Sequence, residues 1–147
     1  MRIWEYTLQQ LTGGKGPHPD TAAPVVAQPF MDATVVPITD NPRYATALIK
    51  GGGSFANQVL LELVDGGWQC VGHYCDDTIL LDERVRGKGL AEELMLRCLE
   101  HRENRPVTTE FTESGLRCFK RTHRLAVARA IKAGLPVPAA VLQEYGA

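Results

Sequence analysis

The chain has 147 residues, of which 44% are hydrophobic and 22% charged, a composition typical of one globular domain with a sizeable core. Its formal net charge is -1, which argues against a strong overall attraction to nucleic acid. No apolar run is as long as a membrane span, and residues 1–5 lack the apolar core of a signal peptide. We therefore expect a single domain over 1–147, located in the cytoplasm, with its four cysteines reduced and no metal site.

The N-terminal part of the chain predicts one strand and a loop. Residues 2–11 are rich in side chains that favour β-structure, and Gly13 and Gly14 end the predicted strand. Residues 12–30 are rich in glycine, proline and alanine without any period, which predicts a long loop.

A short edge strand and a short helix are predicted next. Residues 33–38 predict the strand, at an edge because Pro37 has no N–H group to donate to a neighbouring strand. Asp40 or Asn41 is suited to cap a helix over residues 42–49, in which proline occupies the first position.

The middle of the chain predicts three strands in a meander. Residues 58–64 form the first strand, and Asp-Gly-Gly at 65–67 is typical of a hairpin turn. Residues 68–74 return, and residues 75–77 turn into a third strand that begins at Thr78.

A glycine-rich turn at residues 86–89, called the glycine turn below, follows that third strand and leads into a helix. Apolar residues recur at helical spacing from Leu90 to Leu99, and two glutamates stand in the first turn. The first amides of a helix have no intrahelical partner and attract anions, and glycine lets a phosphate approach the backbone. With Arg84, Arg86 and Lys88 adding positive charge, this stretch predicts a phosphate or pyrophosphate site at the amides of residues 85–91.

The last third predicts a strand and two helices. Residues 107–111 predict a strand parallel to the one before the glycine turn, since a helix connects the two. Thr112 caps a predicted helix that ends near Ala133, and residues 137–145 allow one more short helix. His123 falls on the apolar side of the long helix, where we expect a hydrogen-bonded structural histidine. The other side is basic, a feature most often found on a solvated face.

The spacing Arg84-x-x-Gly87-x-Gly89, between a strand and an amphipathic helix, resembles motif A of the GNAT N-acetyltransferase superfamily. The resemblance covers residues 55–120, and residues 112–145 look like a segment of uncharacterised bacterial and phage GNAT-like proteins. It implies an α/β fold with a mixed sheet, in which an antiparallel meander leads into a β-loop-α acetyl-CoA cradle. A parallel strand and a long C-terminal helix would complete that fold. Members of the family are often dimers, so a homodimer is one expected state.

The resemblance also implies an acyl-CoA-dependent N-acyltransferase. Such an enzyme transfers acetyl from acetyl-CoA to a primary amine of a small molecule or a protein. A backbone N–H near Leu81 would polarise the thioester carbonyl. The implied cofactor contacts are Leu81, Glu83, Arg84, Val85, Arg86, Gly87, Lys88, Gly89, Leu90 and Ala91.

Acetyl transfer needs a base for the amine and an acid for the leaving thiolate. The candidate bases are Asp76, Asp77, Glu83, Glu110 and His73, among which the sequence does not choose. The candidate acids are Tyr74, Cys118 and Tyr145.

Two other functions are open at this point. Many family members carry a tyrosine acid where this chain has Phe119, and the expected N-terminal helices are replaced by a loop. These departures favour a GNAT-like binding protein that keeps the cofactor cradle without catalysis. The basic helix could instead contact nucleic acid, which the net charge argues against.

Overall fold

The computed structural model describes residues 2–20, 27–51, 57–75, 78–101 and 111–146. It is a mixed α/β structure that divides into two compact units. One unit comprises Met1–Thr21 and Leu99–Ala147, and the other comprises Ala22–Cys98. The prediction of an α/β protein is confirmed at this level, whereas the prediction of a single domain over 1–147 stays a prediction.

The unit Ala22–Cys98 contains an antiparallel sheet, which has five strands in the described residues. They are β1 (Val36–Ile38), β2 (Asn41–Leu48), β3 (Gln58–Val64), β4 (Gly67–Cys75) and β5 (Thr78–Leu81). Each strand pairs with its neighbours in sequence, in the order β1-β2-β3-β4-β5. The predicted meander is confirmed, and β1 is the predicted edge strand, shortened at its start.

The hairpin between β3 and β4 follows from its turn residues. Asp65 and Gly66 both have positive φ angles, 49° and 78°, which suit the tight turns that join antiparallel strands. The turn sets a register in which Glu62 lies opposite Gln69, and a bulge interrupts the pairing between Leu60 and Leu61.

The two faces of this sheet differ in chemistry. Alternate side chains of a strand point to opposite faces, and paired residues share a face. The apolar face carries the buried cluster of Ala45, Ala47, Ile49, Val59 and Leu61. The other face, called the polar face below, carries buried side chains with polar groups, namely Tyr44, Thr46, Gln58, Glu62 and Tyr74.

The strand predicted over residues 2–11 is wrong. The chain forms a 3-10 helix at Ile3–Glu5 and then a short helix α1 (Leu8–Thr12). Thr7 and Gln10 form a capping box, each side chain accepting a hydrogen bond from the other residue's backbone N–H. This local cap outweighs the strand propensity of the segment, and Gly13, at a φ of +67°, ends the helix where the sequence placed the stop.

The helix predicted over residues 42–49 is also wrong, because these residues form most of β2. Residues Tyr44 to Leu48 pair with β3, and pairing in a sheet overrides a plausible helix cap. Pro42 is tolerated because the pairing with β3 begins only at Tyr44. The predicted 12–30 loop begins one residue too early, because Thr12 is the last residue of α1, and its other described parts, residues 13–20 and 27–30, contain no helix and only isolated strand bridges.

Helix α2 (Leu90–Glu100) begins directly after the glycine turn, as predicted. Its predicted apolar residues are buried, with the exception of the partly exposed Ala91. The buried members are Leu90, Leu94, Met95, Cys98 and Leu99.

The other unit contains helices α3 (Glu113–Lys132) and α4 (Ala139–Glu144). The hydroxyl of Thr112 accepts a hydrogen bond from the Gly115 N–H, which confirms the predicted cap. The sequence missed a second cap: the Asp20 carboxylate accepts from the Ser114 N–H at 2.9 Å, and this bond lowers the Asp20 pKa. Ile131, an apolar residue near the end of α3, is 53% exposed.

The predicted parallel strand at 107–111 lies outside the described residues except for Phe111. The Phe111 ring packs against Phe119, with 5.1 Å between ring centroids.

Candidate functional site

The glycine turn has a backbone shape that requires glycine at two positions. After β5, a 3-10 turn spans Glu83–Val85, and Asp82 caps it through a hydrogen bond from the Arg84 N–H. Gly87 and Gly89 each have a φ of +75°, a conformation that side chains disfavour. A Cβ atom at either position would meet no atom of the described residues within 4 Å, so both glycines border open space in this part of the structure.

The backbone amides at the two ends of this segment donate hydrogen bonds to backbone carbonyls. The Val85 and Arg86 amides donate to Asp82 and Glu83 carbonyls, and the Glu93 amide donates to the Gly89 carbonyl. Within the described residues, the amides between these points, at 87–91, have no hydrogen-bond acceptor. Five amides at a helix start beside two open glycines can donate to an anion from outside the chain.

The three cations of the segment do not all face that open space. Arg86 donates from Nε to the Leu81 carbonyl oxygen at 3.0 Å. Lys88 Nζ lies 3.5 Å from the Tyr44 hydroxyl oxygen and 5.9 Å from the centroid of its ring. Arg84 forms an ion pair with Glu62.

Glu62 is the centre of a polar cluster on the polar face of the sheet. Its side chain is 3% exposed, and it accepts two hydrogen bonds from Arg84, at 2.7 and 3.2 Å. The Tyr44 hydroxyl donates a third bond at 3.0 Å, and Arg43 Nε lies 3.6 Å from the carboxylate. The bonds from Arg84 hold the pKa of Glu62 below its usual range despite burial, and Glu62 raises the pKa of Arg84.

Sequence reasoning missed Glu62, Tyr44 and Arg43. The available signal was one charged residue inside the apolar run of residues 58–64, because a strand buried on both faces rarely carries a charge without a partner. The partner, Arg84, lies 22 residues further along the chain, so the strand pattern alone does not reveal it.

The predicted cofactor contacts all lie within residues 81–91, and they differ in how far they are exposed to solvent. The side chains of Leu81, Val85 and Leu90 are buried and belong to the core, so only their backbone groups can meet a ligand. The exposed residues are Glu83, Arg84, Arg86, Gly87, Lys88 and Gly89, and Ala91 is partly exposed.

The edge of β5 away from β4 carries the Leu81 backbone, whose carbonyl oxygen accepts from Arg86 Nε. Leu81 lies opposite Gly72, and the Asp82 amide donates to the Val71 carbonyl. Along antiparallel strands, residues that bond to the partner strand alternate with residues that do not. Because Asp82 bonds to β4, the N–H of the neighbouring Leu81 points away from β4. No strand pairs with that edge of β5 in the part of the chain that the structure describes.

Three of the predicted bases, Asp76, Asp77 and Glu110, lie outside the described residues. Glu83 is exposed next to the glycine turn. His73 is buried on β4, its Nδ1 has no hydrogen-bond partner in the described chain, and burial lowers its pKa.

The predicted acids are all engaged. Tyr74 and Cys118 are both 4% exposed, and both have interaction partners. The Tyr145 hydroxyl hydrogen-bonds to His123 Nδ1, and burial raises the pKa of Tyr145 to about 12. Cys118 and Tyr145 belong to the unit of α3 and α4, whereas Tyr74 belongs to the unit of the sheet.

None of the described helices is both long and apolar enough to cross a membrane. Among the described residues, no three His, Cys, Asp or Glu side chains are arranged to hold a metal ion. No protein-family model matches the chain, and no curated protein or solved structure matches it.

Proposed function

We propose that the protein is an acyl-CoA-dependent N-acyltransferase that binds the pyrophosphate of acetyl-CoA at the glycine turn. The observation that carries the proposal is the set of five backbone amides at 87–91, which have no acceptor among the described residues and lie beside two glycines over open space. An anion bound there receives several N–H donors and the positive end of the α2 dipole. The resemblance of Arg84-x-x-Gly87-x-Gly89 to motif A adds acyl-CoA as the ligand class.

The edge of β5 supports a role in acyl transfer as well as in binding. The Leu81 N–H lies on the edge of β5 that no described strand pairs with, so it is available to donate to the thioester carbonyl and stabilise negative charge on its oxygen. The pyrophosphate would bind at residues 87–91, six or more residues after Leu81 in the same segment. Binding there would hold the thioester in place, which lowers the entropic part of the activation barrier to acyl transfer.

Glu62 is a poor choice for the general base. Its carboxylate is buried, is occupied by Arg84 and Tyr44, and has a lowered pKa. Glu83 is exposed beside the glycine turn, which favours it over Glu62. Asp76, Asp77 and Glu110 stay predictions.

A second candidate function is binding of acyl-CoA without catalysis. It is favoured by the state of Tyr74, Cys118 and Tyr145, which are buried or bonded and so poorly placed to protonate a leaving thiolate. In that case the glycine turn keeps its ligand and no thiolate leaves. If the protein does transfer an acyl group, water or the amine itself would have to supply the proton to the thiolate.

The experiment is an acyl-transfer assay with acetyl-CoA and a mixture of primary amines and lysine peptides, following release of the free thiol. The proposal predicts thiol release that depends on both the protein and an amine. Binding of acetyl-CoA without amine-dependent release would contradict the enzyme and support the second function.

A further inference from the structure

We infer that Glu62 is a positioning residue for the phosphate-binding segment, holding the glycine turn against the sheet through Arg84. This inference rests on the proposed function for its ligand, acetyl-CoA. Glu62 comes from β3, 22 residues before its partner, and nothing in motif A includes it.

The geometry supports a mechanical link between sheet and turn. Arg84 lies in the 3-10 turn, three residues before Gly87, and both ends of its guanidinium bond to the two Glu62 oxygens at 3.2 and 2.7 Å. A paired, two-bond contact fixes orientation as well as distance. The Tyr44 hydroxyl, at 3.0 Å, fixes the carboxylate from β2.

The alternative role for Arg84 is direct binding of phosphate. Arg84 is half-exposed, at 50%, but its hydrogen bonds to Glu62 direct the guanidinium to the sheet. The two roles predict opposite results when Glu62 loses its charge. If Arg84 binds phosphate directly, freeing it from Glu62 tightens the binding of acetyl-CoA. If Glu62 anchors the turn through Arg84, losing that anchor weakens the binding.

The test compares Glu62→Gln with Tyr44→Phe, which removes the hydroxyl that bonds to the same carboxylate and to Lys88 Nζ but leaves the Arg84 pair and the aromatic ring near Lys88. Two quantities are measured: the affinity for acetyl-CoA, and hydrogen exchange of the Val85 and Arg86 amides in the free protein. Both amides close the 3-10 turn, so their exchange reports its opening. We expect Glu62→Gln to weaken binding about tenfold and to speed exchange by a similar factor. Tyr44→Phe should change neither by more than about twofold, since the ion pair remains.

If Glu62 has only a structural role, both variants lose thermal stability, but the affinity for acetyl-CoA and the exchange of the turn amides stay unchanged. That result, or tighter binding by Glu62→Gln, overturns the inference. Arg84→Lys serves as a second variant if Glu62→Gln does not fold, because lysine keeps the charge but cannot form the paired contact. It should shift both readouts in the same direction.

The inference and the proposed function fail separately. If the parent protein does not bind acetyl-CoA, the proposed function is wrong. The exchange rates of Val85 and Arg86 then decide by themselves whether Glu62 holds the turn.

Discussion

His123 is a fully buried histidine whose ring nitrogens both have hydrogen-bond partners. Its Nε2 lies 2.7 Å from the Tyr6 carbonyl oxygen, which can only accept, so Nε2 carries the proton. Nδ1 then accepts from the Tyr145 hydroxyl. The structural role predicted for His123 is confirmed, and the bond joins α3 to the N-terminal segment and to the end of α4.

This arrangement predicts a loss of stability in mild acid. Burial lowers the pKa of His123 below its ordinary value of 6.5, so the unfolded chain takes up the proton first. The stabilisation is complete above pH 6.5 and decreases as the pH falls from there toward the native pKa, by at most about 1.4 kcal/mol per pH unit. Urea unfolding at pH 8 and pH 5.5 measures the change.

The matched variant for this prediction is His123→Gln, which keeps a donor and an acceptor but does not titrate. His73, whose pKa burial also lowers, contributes with the same sign in both proteins, so the difference isolates His123. An equal loss of stability in the parent and in His123→Gln would contradict the prediction.

At the scale of elements, the glycine turn combines a left-handed backbone with open space. Gly87 has a φ of +75°, and a Cβ there would meet no atom of the described residues within 4 Å. Substitution therefore costs backbone energy without any steric clash.

We expect Gly87→Ala to lower the free energy of unfolding by about 1 kcal/mol, the usual cost of a side chain in the left-handed region. The control is Gly67→Ala at the start of β4, where φ is not positive and the nearest atom to a new Cβ is 3.8 Å away. Thermal unfolding of both variants gives the comparison. Equal stability of the two would show that the turn does not impose the left-handed conformation.

The sequence predicted elements well where local signals agreed. For the β3–β4 hairpin, the turn chemistry and the apolar runs point to the same structure, as do the glycine turn and the spacing in α2. It failed at residues 2–11 and 42–49, where a capping box and pairing with β3 overrode local propensity.

At the scale of the molecule, the parts missed by the sequence are contacts between distant residues. Glu62 and Arg84 are 22 residues apart, and Asp20 and Ser114 are 94 apart. The sequence around each of these residues indicates only a strand, a turn or a loop, and nothing in it indicates the distant partner. The glycine turn itself was predictable, because its strand, glycines and helix are contiguous in sequence.

Calorimetric titration with acetyl-CoA measures whether the glycine turn binds acyl-CoA. Coenzyme A and ATP serve as ligand controls. Gly89→Glu places bulk and negative charge at the open space, while Gly66→Glu makes the same change at a hairpin glycine with matching φ, +78° against +75°.

We expect a Kd on the order of 1 μM for the parent and for Gly66→Glu, and loss of binding in Gly89→Glu. Absence of binding to the folded parent, or equal binding by Gly89→Glu, would contradict it.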